Sequence, residues 1–257
     1  MRRLHLLDPN PHGQPAVLLL HGLGATGASW TLQLPALTRA GFRPIAPDAP
    51  GFGDSPYDGR GWTLPRVAQQ MAALLDELAT GPVHVVGLSM GGVIAQQLAH
   101  DFPRSVRSLT LVSTFAVLRS DSLSGWIYFL RRAVGILRAG PLGQARLVAE
   151  RVFPGEENEH LRQILLETIA HADRRAYRAA MLALARFDSR RWLHTLTMPV
   201  LVVTGAKDTT VSPARQALLA QKIAGARQVI VEGAGHAVSV DQPDAFNAIL
   251  LDFLRSL

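Results

Sequence analysis

Val83 to Gln97 reads VHVVGLSMGGVIAQQ. An apolar, strand-like run enters a serine hemmed by glycines, and a helix-like segment leaves it. Ordinary turns are built from Asn, Asp or Pro, which preset a dihedral or supply a local hydrogen bond. None of these occurs between Val83 and Gln97. Gly87-Leu88-Ser89-Met90-Gly91 fits G-x-S-x-G between a strand and a helix, which holds a serine on a tight, strained turn above the end of a sheet. In such a turn the residues two before and two after the serine crowd each other and the next strand. Hydrogen is the side chain that fits there, which accounts for Gly87 and Gly91, and Gly92 lets the helix approach closely. The same turn leaves the Met90 N–H, at the start of the helix, facing the space above Ser89.

Outward from this stretch the chain alternates. Apolar runs at 16–20, 42–47, 82–87, 106–112, 199–204 and 227–231 suit strands covered on both faces. The 42–47 run is interrupted by Pro44 and Pro47. Amphipathic segments at 64–79, 91–101, 213–224 and 243–256 suit helices, and Ser212-Pro213 reads as an N-cap followed by proline at the first helical position. Strand then helix, repeated, predicts an α/β fold with a mostly parallel twisted sheet and helices on both faces. Residues 115–191 break the rhythm, lacking strong strand runs and carrying helical patterns such as LRQILLETIAHA. The expected organisation is a core formed by 1–114 and 192–257, with 115–191 an inserted all-helical cap.

A serine hydroxyl is a weak nucleophile and needs a base. His236 ends VEGAGH, a glycine-rich loop directly after the 227–231 strand, at the sheet edge where Ser89 is expected. His84 alternates within a strand and reads as core, and the remaining histidines lack a supporting motif. An imidazole base needs a carboxylate to fix its tautomer. Asp208, in TGAKD after the 199–204 strand, faces the same edge, and the 28 residues to His236 hold one helix and one returning strand. The residues after the 106–112 strand, Ser113, Thr114 and Phe115, offer no acid there. HGLG at 21–24 follows the first apolar run, and its glycines let the Leu23 N–H join the Met90 N–H as an oxyanion hole. His21 reads as an anchor for that loop. Phe115, Trp126 and Val238 are expected to line the substrate pocket.

Composition removes several function classes. The chain has 257 residues, 48% of them hydrophobic, and no cysteine, so disulfides, thiolate metal sites and a cysteine nucleophile are out. No apolar run is long enough for a secretory h-region or a bilayer span, and the reading is of a soluble, cytoplasmic protein without stable membrane insertion. The formal net charge of +6 is concentrated in 115–191, which holds 13 arginines against eight carboxylates at helical spacing. That is the pattern of a solvated helical face, and no nucleic-acid module accompanies it. No His and carboxylate spacing suggests a metal site. The sequence fixes no oligomeric state.

The order Ser89, Asp208, His236, together with HGLG, GLSMGG, GAKD and GAGH, resembles the α/β-hydrolase fold family. More narrowly it is similar to the small esterase, enol-lactonase and C–C hydrolase branch with a helical cap, whose loop after the 42–47 strand is matched by DAPGFGDS at 48–55. There Asp48 and Asp54 are expected to be structural. The family usually opens with two antiparallel strands, whereas the short stretch before residue 16 leaves room for little more than one. The resemblance implies a cofactor-free serine hydrolase with Ser89, Asp208 and His236 as catalytic triad, acting on small-molecule esters. Lactone or C–C bond hydrolysis on the same triad, and a hydrolase-fold ligand receptor with little turnover, are the alternatives. A lipase, suggested by Trp126 to Leu130, is a further one. Dehalogenases and epoxide hydrolases of this fold need a carboxylate where Ser89 stands.

Overall fold

The computed structural model describes residues 3–118, 127, 134–135 and 142–257. Its strands are β1 (Leu6–Leu7), β2 (Ala16–Leu20), β3 (Arg43–Pro47), β4 (Val83–Leu88), β5 (Val106–Val112), β6 (Val200–Gly205) and β7 (Arg227–Val231). They form one seven-stranded sheet in the order β1-β3-β2-β4-β5-β6-β7. β1 pairs antiparallel with β3, and every other pair is parallel. The α/β architecture expected from the strand–helix alternation is the one observed.

The helices of the core are α1 (Leu34–Arg39), α2 (Leu64–Glu77), α3 (Met90–Asp101), α7 (Pro213–Lys222), α8 (Val238–Asp241) and α9 (Pro243–Arg255). Alternation along β2 shows how they cover the sheet. Ala16, Leu18 and Leu20 join a layer containing Met71, Val93 and Ile94 of α2 and α3. Val17 and Leu19 join the opposite layer, with Trp30, Leu37 and Phe246. Both faces being dry, the strands read as continuous apolar runs in sequence.

Two details explain departures from strand rules. β3 tolerates Pro44, which has no N–H to donate, because β1 pairs only with Ala46 and Pro47 and leaves that side of Pro44 open. The short leading segment does supply a single edge strand. Arg43 clamps it, donating from Nη2 and Nε to Asp8 Oδ2 at 2.7 and 3.0 Å.

Between β5 and β6 lie α4 (Leu142–Val152), α5 (Glu159–His171) and α6 (Arg174–Arg186). Among the described residues of 115–191 the one strand-like contact is the antiparallel bridge Val117 to Asp188, where the segment leaves and rejoins the sheet. Gln96 of α3 ties the two sides of this junction. Its Nε2 donates to Phe115 O at 3.1 Å and its Oε1 accepts from Ser189 Oγ at 2.8 Å. Among the described residues no helix is long and apolar enough to cross a membrane.

The register fixes where the chain turns. Leu20 is level with Gly87, Gly87 with Leu111, Leu111 with Val202, and Gly205 with Val231. The loops carrying residues 21–24, 89, 206–211 and 232–237 therefore leave one carboxyl rim of the sheet, the usual place for ligands in parallel α/β folds.

Candidate active site

β4 runs to Leu88 and α3 begins at Met90, so Ser89 alone makes the turn. Its backbone has φ 53° and ψ −111°, a conformation costing on the order of 1–3 kcal/mol for a residue with a side chain. Surrounding hydrogen bonds hold it there. Ser89 N–H donates to Val112 O at 2.9 Å, and Ser89 O accepts from Thr114 Oγ1 at 2.7 Å and from Val93 N–H at 3.2 Å. A Cβ on Gly87 would lie 2.3 Å from Gly91 O, and one on Gly91 would lie 2.0 Å from Leu20 O. Both contacts are with backbone, so both glycines are required by space.

Asp208 and His236 are joined by the crossing of their loops. Ala206 N–H donates to Val231 O at 3.1 Å and Lys207 N–H to Ala234 O at 2.9 Å. A Cβ on Gly205 would sit 2.0 Å from Gly235 O. Asp208 Oδ1 accepts from the Thr210 and Val211 N–H groups at 2.8 and 2.9 Å. Its Oδ2 accepts from His236 Nδ1 and from Gln216 Nε2, each at 2.9 Å. The carboxylate is buried and accepts from four donors. An Nδ1 that donates to Asp208 leaves His236 Nε2 as the unprotonated nitrogen of the neutral ring.

Ser89 and His236 line one cavity of about 390 Å³, with Gly22, Leu23, Phe115 and Ala237. The Leu23 and Met90 N–H groups have no backbone acceptor among the described residues. His21 braces the Leu23 loop. Its Nε2 accepts from Ala49 N–H at 2.9 Å, which leaves Nδ1 donating to Gly22 O at 2.8 Å. Burial pushes the His21 imidazole below its ordinary pKa, so it stays neutral and keeps that tautomer. Asp48 braces the same loop, accepting from Gly27 N–H at 2.7 Å, Asp54 N–H at 3.0 Å and His5 Nδ1 at 2.9 Å. Asp48 thus does structural work, while Asp54 contributes its backbone N–H and keeps an exposed side chain. The grouping His5, Asp48 and Asp54 has metal-like spacing, but the Asp48 oxygens already accept these N–H bonds.

Of the expected pocket residues, Phe115 lines the cavity and Val238 does not. Val238 is fully buried in the apolar layer with Val231 and Phe246. The short helix α8, which the sequence reading lacked, turns Val238 inward and presents Ser239 and Val240 to the cavity. Trp126 lies outside the described residues. Ser212 occupies the N-cap of α7 but makes no capping bond with its hydroxyl, and it lines the cavity.

Several site residues escaped sequence reasoning. Gln216, wholly buried on α7, also donates to Val211 O at 2.8 Å and so fixes the turn bearing Asp208. Asp241 Oδ2 accepts from Gly235 N–H at 2.8 Å, steadying the His236 loop. Burial pushes the Asp241 carboxyl above its ordinary range, with the Asp208 charge adding to the rise and the Gly235 bond and His236 opposing it. Arg151 and Arg215 border the cavity. None of the four belongs to a recognisable motif, and each is brought in by tertiary contact.

Residues 15–243 match the family model described as the alpha/beta hydrolase fold. The chain belongs to the α/β-hydrolase fold family. Among relatives of this α/β hydrolase, a pimeloyl-[acyl-carrier protein] methyl ester esterase of Aeromonas hydrophila is 33% identical, the match covering 93% of this chain and 95% of the relative. A putative carbamate hydrolase RutD of Variovorax paradoxus is 34% identical, covering 98% and 96%. Among solved structures, the enol-lactonase from Burkholderia xenovorans LB400 superposes with a TM-score of 0.88 at 29% identity, covering 98% of this α/β hydrolase and 96% of the lactonase.

Proposed function

We propose that the chain is a cofactor-free serine hydrolase of carboxylic esters that works through an acyl-enzyme on Ser89. The observation that carries this reading is the Asp208–His236 hydrogen bond of 2.9 Å at the rim of the cavity that His236 shares with Ser89. Ser89 Oγ attacks the ester carbonyl carbon while His236 Nε2 takes the hydroxyl proton. The imidazolium that forms is stabilised by the buried Asp208 carboxylate. The Leu23 and Met90 N–H groups receive the oxyanion, a contribution of about 3 kcal/mol per donor. Collapse of the tetrahedral adduct expels the alcohol, which leaves with the proton from His236. Water, activated by the same nitrogen, then releases the acid and restores Ser89.

In this reading 115–191 is a cap over the site, entered at Phe115 and left before Trp192. Phe115 and Leu118 on the way in, and Val148, Phe153 and Leu165 beyond, give the cavity an apolar wall suited to a short acyl or alcohol chain. The names of the relatives support ester, carbamate or lactone carbonyls as the reacting group. Lactone hydrolysis is the second reading, favoured by the likeness to the enol-lactonase over nearly the whole chain.

Ser89→Ala is expected to lower kcat on p-nitrophenyl butyrate by about 10⁴-fold and to abolish labelling by a fluorophosphonate. Turnover close to that of the unsubstituted protein would overturn the mechanism. A fluorophosphonate burst at Ser89 without steady hydrolysis of any ester or lactone would instead favour a ligand receptor.

A further inference from the structure

Leu23, whose N–H is one of the two oxyanion donors in the reading above, stands between Gly22 and Gly24. A peptide flanked by two glycines has little side-chain steric restraint of its own, so its direction is set by what touches the loop. On one side that is the core. Ala25 N–H and His21 Nδ1 donate to Gly22 O at 3.1 and 2.8 Å. A Cβ on Gly22 would lie 3.2 Å from Leu88 Cδ2 and 3.8 Å from Ser89 Cβ. On the other side it is the helical segment. Gly24 has φ 82°, and a Cβ there would lie 2.5 Å from Ile169 Cγ1 and 3.4 Å from Tyr177 Cε2. Ile169 of α5 and Tyr177 of α6 are fully buried. Neither lines the cavity, so their reach to the chemistry runs through this loop.

The two side chains are themselves held in place. Asp173, the N-cap of α6, donates its N–H to Gly51 O at 2.8 Å, in the loop after β3. Its Oδ1 accepts from the Arg175 and Ala176 N–H groups at 2.8 and 2.9 Å. A Cβ on Gly51 would lie 2.3 Å from Ala176 Cβ, so α6 starts hard against that loop. Phe52 carries the contact inward, its ring centroid 6.1 Å from that of Tyr177 and 5.7 Å from that of His21, the brace of Gly22. From α4, Gln144 Nε2 donates to the Tyr177 hydroxyl. The elbow between α5 and α6 is thus seated on the loops that follow β2 and β3.

We propose that Ile169 and Tyr177 are positioning residues for the Leu23 N–H, so that the helical segment completes the oxyanion hole as well as enclosing the cavity. This rests on the hydrolase reading for the reaction, while the seating of the two side chains rests on the packing alone. An oxyanion donor acts by being aimed in advance at the place where charge develops. Removing the Ile169 side chain leaves a void beside a glycine that is free to turn into it. The walls that bind the ground state keep their residues, so the loss falls on the tetrahedral state.

The test uses the full chain and two readouts, turnover of p-nitrophenyl butyrate and calorimetric binding of n-butylboronic acid, whose boron takes the Ser89 oxygen and places a hydroxyl in the oxyanion hole. Ile169→Ala should lower kcat about tenfold with KM within about twofold, and should weaken the boronic acid by a similar factor. Ile169→Leu keeps the volume and shifts the branch, so it preserves the fold and should give the same split at about threefold. Phe187→Leu trims another buried side chain of the segment, packed on Trp192 at 6.1 Å between centroids, and should leave both readouts within about twofold of the unsubstituted protein. Unchanged kcat in both Ile169 variants, a fall in kcat with boronic acid affinity intact, an equal fall in Phe187→Leu, or no binding of the boronic acid at all would overturn the positioning role. Boronic acid affinity weakened by the Ile169 substitutions in a protein that hydrolyses no ester would keep that role and overturn the hydrolase reading.

Discussion

The carboxyl rim of the sheet and the helical segment 115–191 enclose the same cavity but are built under different constraints. At the rim, backbone meets backbone: Gly87 lies against Gly91, Gly91 against Leu20, and Gly205 against Gly235. Both carboxylate oxygens of Asp208 are engaged, and Ser89 is pinned at a positive φ. The helical segment is built from amphipathic surfaces, with large apolar residues such as Ile164 and Leu182 about half exposed. On the proposed reading, chemistry that needs atoms held to a fraction of an ångström falls where packing allows no choice, and selectivity falls where side chains exchange at low cost.

The contrast breaks most directly at Gly91. Its Cβ would have to displace the end of β2, and the Leu23 loop with it, so Gly91→Ala should destabilise the fold by about 3 kcal/mol. Leu182→Ser, on the exposed face of α6, should stay within about 0.5 kcal/mol. Denaturant unfolding of the two variants is the measurement, and equal losses would erase the distinction.

Gln216 offers a sharper probe, because it lies on the rim yet touches no reacting atom. Gln216→Leu keeps the bulk but removes one donor from Asp208 Oδ2 and uncouples Val211 O. A positioning role predicts a drop in kcat of about tenfold with KM little changed. Unchanged kcat alongside lowered stability would make Gln216 structural only.

A further effect is on acid stability, and it arises beneath the rim. His84 on β4 is buried, with Nδ1 2.7 Å from Ser108 Oγ. Burial, with Arg107 adding, pushes its imidazole down from 6.5 to about 4. The unfolded chain therefore binds more protons than the folded one between those values, and stability must fall as pH drops through that window. Burial lowers His21 as well, with the same sign. The melting temperature should hold above pH 6.5 and decline towards pH 4. A flat profile would mean that His84 charges in place without penalty. Asp241, raised by burial, works in the opposite direction because its charge is disfavoured in the fold.

Much of the rim was legible in the chain. Ser89 was marked by glycines whose need is steric, Asp208 and His236 by loops that follow apolar runs, and His21 and Asp48 by the motifs around them. Val238 was expected in the pocket because it closely follows His236, whereas the Val240 and Asp241 N–H groups both bond Ala237 O and close a helical turn that carries it into the apolar layer. Gln216, Asp241, Arg151 and Arg215 left no signal, since a buried amide or a cavity-facing arginine looks in sequence like any other on a helix.

By itself the sequence determined the parallel sheet, the serine turn and the order of the three polar loops. Apolar runs and glycines act over a few residues, through local sterics and burial. The tertiary structure decided which donors complete Asp208, which way residue 238 points, and that two arginines from distant segments border one cavity. Those outcomes depend on how helices lie against the finished rim, and no local pattern encodes that placement.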